Sequence, residues 1–158
     1  MLPLLLAVNH KTALFHFYCQ KLILNYLFEK YEPAVENTLQ ARKYIDGVIA
    51  SLSLPVFNFY HSLTLLAIIK NVNRQKQLLN RVKANQKQMR KWANSAPMNY
   101  LHKYYLVEAE RHRIVGKFLE AIDFYDRAIA LAKKHSYLQE EALANELAAK
   151  FYLDLSKD

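Results

Sequence analysis

The chain has 158 residues, 22 Lys plus Arg against 14 Asp plus Glu, and a formal charge of +8. That length suits one domain with a real core, and an apolar share of 53% beside 23% charged residues excludes intrinsic disorder. Two glycines, Gly47 and Gly116, exclude a phosphate-cradling P-loop, a dinucleotide-binding turn and any fold of many tight hairpins. Cys19 stands alone, so no disulfide framework and no cysteine metal site is expected, in keeping with a reducing cytoplasm.

From the N-terminus, Met1 to Val8 reads like a signal-peptide core. No basic residue precedes it, no small-x-small site follows, and Asn9, His10 and Lys11 end it far short of the roughly 20 residues of a membrane span. A cytoplasmic chain without membrane insertion is the expectation. Beyond it, periodicity near 3.6 predicts seven helices, at about 12–30, 33–50, 55–70, 74–94, 97–115, 118–135 and 138–156. Pro33, Pro55 and Pro97 each stand before an apolar-periodic stretch, where a first helical position tolerates a missing N–H. No run alternates with period two, so the fold class is all-α, with short linkers joining antiparallel hairpins.

The fourth of these helices carries the charge. Between Gly47 and Val107 there is no acidic residue, whereas Lys70, Arg74, Lys76, Arg81, Lys83, Lys87, Arg90, Lys91 and Lys103 are basic. On a helical wheel Leu78, Leu79, Val82, Met89, Trp92 and Ala93 form one apolar face. Lys76, Lys83, Lys87 and Arg90 gather opposite, Lys91 lies at the edge, and Arg74 and Arg81 flank the stripe. Such a face is a solvated surface, a dock for an acidic protein, or a contact for nucleic acid or lipid. It has no groove-reading motif and no dimer signature, which weighs against nucleic acid. Trp92 alone is little interfacial aromatic for a membrane-surface helix.

An internal repeat runs across the chain. Tyr31-x-x-Ala34-Val35 with Ala41 recurs 87 residues later as Phe118-x-x-Ala121-Ile122 with Ala128. The best unit, 97–135, holds Tyr105, Ala109, Gly116, Phe118, Ala121, Tyr125, Ala128 and Leu131. This resembles a tetratricopeptide (TPR) repeat, with His112 and Glu108 in place of the usual aromatic and leucine. Alanines at these positions let paired helices approach, and a glycine permits a left-handed turn. Degenerate units at 12–50 and 55–94 and a partial unit at 138–158 complete the array. Ala109 and Ala148 are 39 residues apart, longer than the usual ~34-residue period. The resemblance implies a TPR-like right-handed superhelix of about seven helices in a single domain, 1–158.

The words Ala96 to Glu110 and Gln139 to Ala149 are in turn similar to the helical-repeat region of large cyanobacterial multi-sensor signalling kinases, both serine/threonine and histidine kinases. There the region follows an ATPase-like module and precedes GAF and histidine-kinase modules. The likeness runs from about residue 55 to the end and carries fold and context, with no catalytic module of such a kinase within the chain. It implies a non-enzymatic protein–protein interaction or scaffold module of a bacterial signal-transduction system. The partner is another protein or peptide, and an acidic one suits the basic helix. Carried over position by position, the partner groove presents Lys103, Glu110 and Arg113, with His16 and Tyr26 from the first repeat and Asn145 and Tyr152 from the last. The runner-up is a basic nucleic-acid-binding module using residues 74–91, through Lys76, Arg81, Lys83, Lys87, Arg90 and Lys91.

Candidate chemistry is sparse. The six histidines form neither His-x-x-x-His nor His-Glu-x-x-His. Glu108 and His112 share a helix face at four-residue spacing, which suits a hydrogen bond better than a metal. Cys19 reads as a small buried hydrophobe. No catalytic residue, cofactor or metal is assigned, and most aromatics fall at core spacing. Leu143, Leu147, Phe151 and Leu155 recur at four-residue steps, so a second copy of the chain is expected to cover that face in a homodimer.

Overall fold

The computed structural model describes residues 2–49, 51–69 and 72–157. Among them are eight α-helices and no strand, so the chain is all-α. They are α1 (Leu2–Ala7), α2 (Lys11–Leu27), α3 (Tyr31–Arg42), α4 (Ser53–Ala67), α5 (Val72–Ser95), α6 (Pro97–Ile114), α7 (Phe118–Lys134) and α8 (Leu138–Leu155), with a 3₁₀ turn at Ile45–Val48. Two expectations change. The apolar start of the chain is itself a short helix, and the helix expected over 33–50 stops at Arg42. Pro33 and Pro55 sit at the third helical position rather than the first. The first four N–H groups of a helix have no intrahelical acceptor, so proline anywhere in that turn removes nothing. Only Pro97 opens its helix.

The chain divides into two compact units, Met1–Lys70 and Asn71–Asp158, a boundary that falls within the stretch read as the repeat 55–94. In the first unit α2 packs on α3, and both touch α4. Leu14, Phe15, Cys19, Leu22 and Tyr26 form the buried stripe of α2, with Phe15 against Phe57 and Tyr26 against Tyr60. Gly47 comes so close to the start of α2 that a Cβ there would stand 2.7 Å from that of Lys11. Thr12 Oγ1 donates to the Gly47 carbonyl at 2.8 Å, and Lys11 pairs with Asp46, holding that carboxyl below its ordinary range.

In the second unit α5, α6, α7 and α8 pack in sequence, and α6 also reaches α8. Ala109, Ala121 and Ala128 are 0%, 0% and 1% exposed, buried in the unit where α6 and α7 pack together. Ala34 and Ala41, their counterparts in the 87-residue repeat, are buried likewise in the first unit.

The repeat extends to the backbone of the turns. Glu29 and Gly116, again 87 residues apart, both adopt positive φ. Behind them Lys30 N donates to Asn25 O at 2.8 Å, and Lys117 N donates to His112 O at 2.9 Å. Asn9 and Ser136 end α1 and α7 in the same way, with His10 N donating to Leu5 O and Tyr137 N to Ala132 O. A left-handed residue with a bond reaching back five positions satisfies the last free carbonyls of each helix.

The face of α8 expected to need a second chain packs on its own unit instead. Leu143 and Phe151 are buried, Leu147 and Leu155 half-buried, and the Phe151 ring meets Phe118 and Tyr125 at 5.7 and 5.6 Å. The helix turns this stripe onto α7, which removes the reason for a dimer through it.

Candidate functional site: a cationic groove

Helix α5 is amphipathic. Val82, Gln86, Met89 and Ala93 are buried, with Leu78, Leu79 and Trp92 half-buried beside them. Lys76, Arg81, Lys83, Lys87, Arg90 and Lys91 are exposed, and among the described residues no ion pair takes any of them. The physical reason is local. No carboxylate lies one turn away in either direction, so the usual i, i+4 pairing has no acidic member. Lys70 and the side chain of Arg74 lie outside the described residues.

Packing α5 against α6 leaves an open groove of about 800 Å³. Lys83, Lys87, Arg90 and Lys91 line it from α5, and Tyr104, Glu108 and Arg111 from α6, with the amides of Asn80, Gln86 and Asn94. Glu108 does not offset the charge of the α5 lysines. Arg111 Nη2 donates to its Oε2 at 2.5 Å and Gln86 Nε2 to its Oε1 at 2.9 Å. Gln86 Nε2 also donates to the Tyr104 carbonyl at 2.9 Å. Both amide hydrogens are then committed, which fixes the orientation of the amide and leaves Gln86 Oε1 buried without a donor. Burial, and then Glu108, push the Tyr104 hydroxyl above its ordinary range, so it stays a donor at neutral pH.

The groove residues carried over from the TPR resemblance are placed otherwise. Lys103 is 3% exposed and Glu110 4%, so neither is open to a partner. Lys103 Nζ donates to Glu140 Oε1 at 2.6 Å and to His102 Nε2 at 3.0 Å, and lies 4.6 Å from the centre of the Tyr137 ring. Burial pulls its ammonium below the usual lysine range, against the opposing pull of Glu140. Glu110 accepts from Tyr125 Oη and pairs with Arg113 at 2.8 Å, which ties α6 to α7. A charged group removed from water keeps its charge only with such partners.

Tyr26 is buried between Tyr31 and Tyr60. Arg113 is half-buried and held by Glu110, while Asn145 and Tyr152 share the exposed face of α8. Within the second unit, Lys103 and Glu110 turn inward and the two α8 residues outward, so these four line no common surface. His16 is exposed and borders a hollow of about 210 Å³ with Cys19, whose thiol burial pushes up to about 11. His112 Nδ1 bonds the Glu108 carbonyl at 2.8 Å, and its ring packs on Phe124. The bond therefore goes to the backbone of Glu108, whose carboxylate lies 3.7 Å away, and not between the two side chains that the spacing suggested.

Sequence reasoning found the α5 half of the groove and missed the α6 half. Tyr104, Glu108 and Arg111 recur at i, i+4 and i+7, the signal of one helix face, but the carryover placed the partner surface on other faces of α6. Among the described residues no helix is long and apolar enough to cross a membrane. No family model, curated protein or solved structure matches this chain.

Proposed function

We propose that this chain is a non-enzymatic protein-interaction module, a TPR-like array of helical hairpins that scaffolds a bacterial signalling assembly by holding an acidic protein segment. The α5–α6 groove carries the reading: four exposed cations of one helix border a concave surface whose single carboxylate is already paired. Interior alanines and repeated left-handed turns support the repeat architecture. Exposed cations of this kind steer the encounter with an acidic partner and set its orientation.

Binding of fluorescent poly-glutamate and of a short DNA duplex, read by anisotropy at about 0.15 M salt, tests the reading. The expected result is poly-glutamate binding weakened on the order of tenfold by Lys83→Gln, Lys87→Gln and Arg90→Gln together, from three exposed ion pairs. The charge-matched set Lys117→Gln, Lys133→Gln and Lys134→Gln, outside the groove, is expected to change little. Equal losses with both sets would reduce the effect to net charge. Duplex binding that survives this salt and vanishes with the first set would transfer the assignment to nucleic acid.

A further inference from the structure

The groove also specifies the form of its occupant. Resting on the acidic-segment reading above, we infer that the α5–α6 groove takes an extended peptide of six or so residues with carboxylates at alternate positions, aligned on Lys83, Lys87 and Lys91. These three lysines stand at four-residue steps, so successive ones are about 6 Å apart along the helix axis. In an extended chain, side chains two residues apart leave the same face about 6.6 Å apart. A flexible lysine absorbs the difference, and three charges pair in register. From Asn80 to Asn94 the groove follows about 21 Å of helix, the span of six or seven extended residues.

A helical partner with acids at i and i+4 would match the lysines equally, but it does not match the groove. A helix about 10 Å across meets such an open groove through the side chains of one face only. Its backbone polar groups are also satisfied internally, whereas an extended chain brings bare N–H and C=O groups. The groove has exposed amides to meet them at Asn80 and Asn94. A phosphodiester backbone offers acceptors only. A peptide offers an N–H at every residue, which favours it over a nucleic-acid strand.

Two capped, fluorescein-labelled heptapeptides of one composition test this with the intact chain. One has Glu at positions two, four and six with Ser between; its isomer has the three Glu contiguous. Anisotropy titrations at about 0.05 M salt keep exposed charge pairs measurable. The alternating peptide is expected to bind on the order of fivefold tighter, an advantage that disappears when Lys83, Lys87 and Lys91 are all changed to Gln. Circular dichroism of the variant checks that its helices are intact. Equal binding of the two isomers would overturn the extended register while poly-glutamate binding kept the acidic-segment reading standing. Binding of neither heptapeptide would overturn the inference, and if poly-glutamate also failed to bind, the reading beneath it would fall as well.

Discussion

His102 shows how much one side chain can say once its surroundings are known. It is 2% exposed, its ring stacks on Tyr137 at 4.4 Å, and it accepts from the Lys103 ammonium. Burial, then the charge of Lys103, then His135, bring its pKa from 6.5 to about 3. Well above pH 6.5 the imidazole is neutral in both folded and unfolded chains and does not affect stability. As the pH falls from there toward 3, only the unfolded chain takes up the proton, so stability falls by up to about 1.4 kcal/mol per pH unit from this group. His102→Gln, which keeps an acceptor for Lys103, is expected to flatten that acid limb. Urea midpoints of both proteins at neutral pH and near pH 5 check it, and parallel losses would refute it. None of this was legible in the sequence. The partners of Lys103 lie 34 and 37 residues away at Tyr137 and Glu140, and only the fold brings them together. An isolated charged residue in a sequence reads as surface because most are.

At the scale of helices, the α6–α7 hairpin was the most legible part of the molecule. Its alanines and aromatic spacing mark the packed helix pair and its glycine marks the turn between them, and signals that agree across levels are reliable. The contact is also intolerant. Ala121 has no exposure, so Ala121→Leu is expected to destabilise by about 1–3 kcal/mol through overpacking. A thermal midpoint lowered by several degrees checks it; a melt superimposable on the wild type would place Ala121 away from the contact. Helix α5 was half legible. Its wheel separates exposed cations from a buried stripe correctly, except that Gln86, not placed on the apolar face, lies within the stripe. Its amide is held by Glu108 and the Tyr104 carbonyl of α6, so its burial depends on a neighbour that the wheel of one helix does not contain.

Across the whole molecule, composition settled the class: an apolar chain almost without glycine had few ways to be anything but helical. Where it bends was harder to read, because among the described residues only one of four similar turns carries the glycine that marks such a turn. Asn9, Glu29 and Ser136 adopt φ of 47°, 57° and 60°, beside 75° at Gly116. A side chain in that region costs about 1–2 kcal/mol, yet each of these residues also leaves the unfolded chain fewer conformations than glycine would, returning about 0.4–1 kcal/mol. Replacing Glu29 or Ser136 with Gly is therefore expected to raise stability by roughly 0–1.6 kcal/mol, relief of strain less chain entropy. Gly116→Ala, whose added Cβ meets nothing within 4 Å, is expected to lose a similar net amount, backbone strain less the entropy that alanine removes from the unfolded chain. Thermal melts of the three variants check the set. The near-cancellation gives the scarcity of glycine a thermodynamic meaning: the strain is held in the native turns, and the disordered ensemble is narrowed before folding begins.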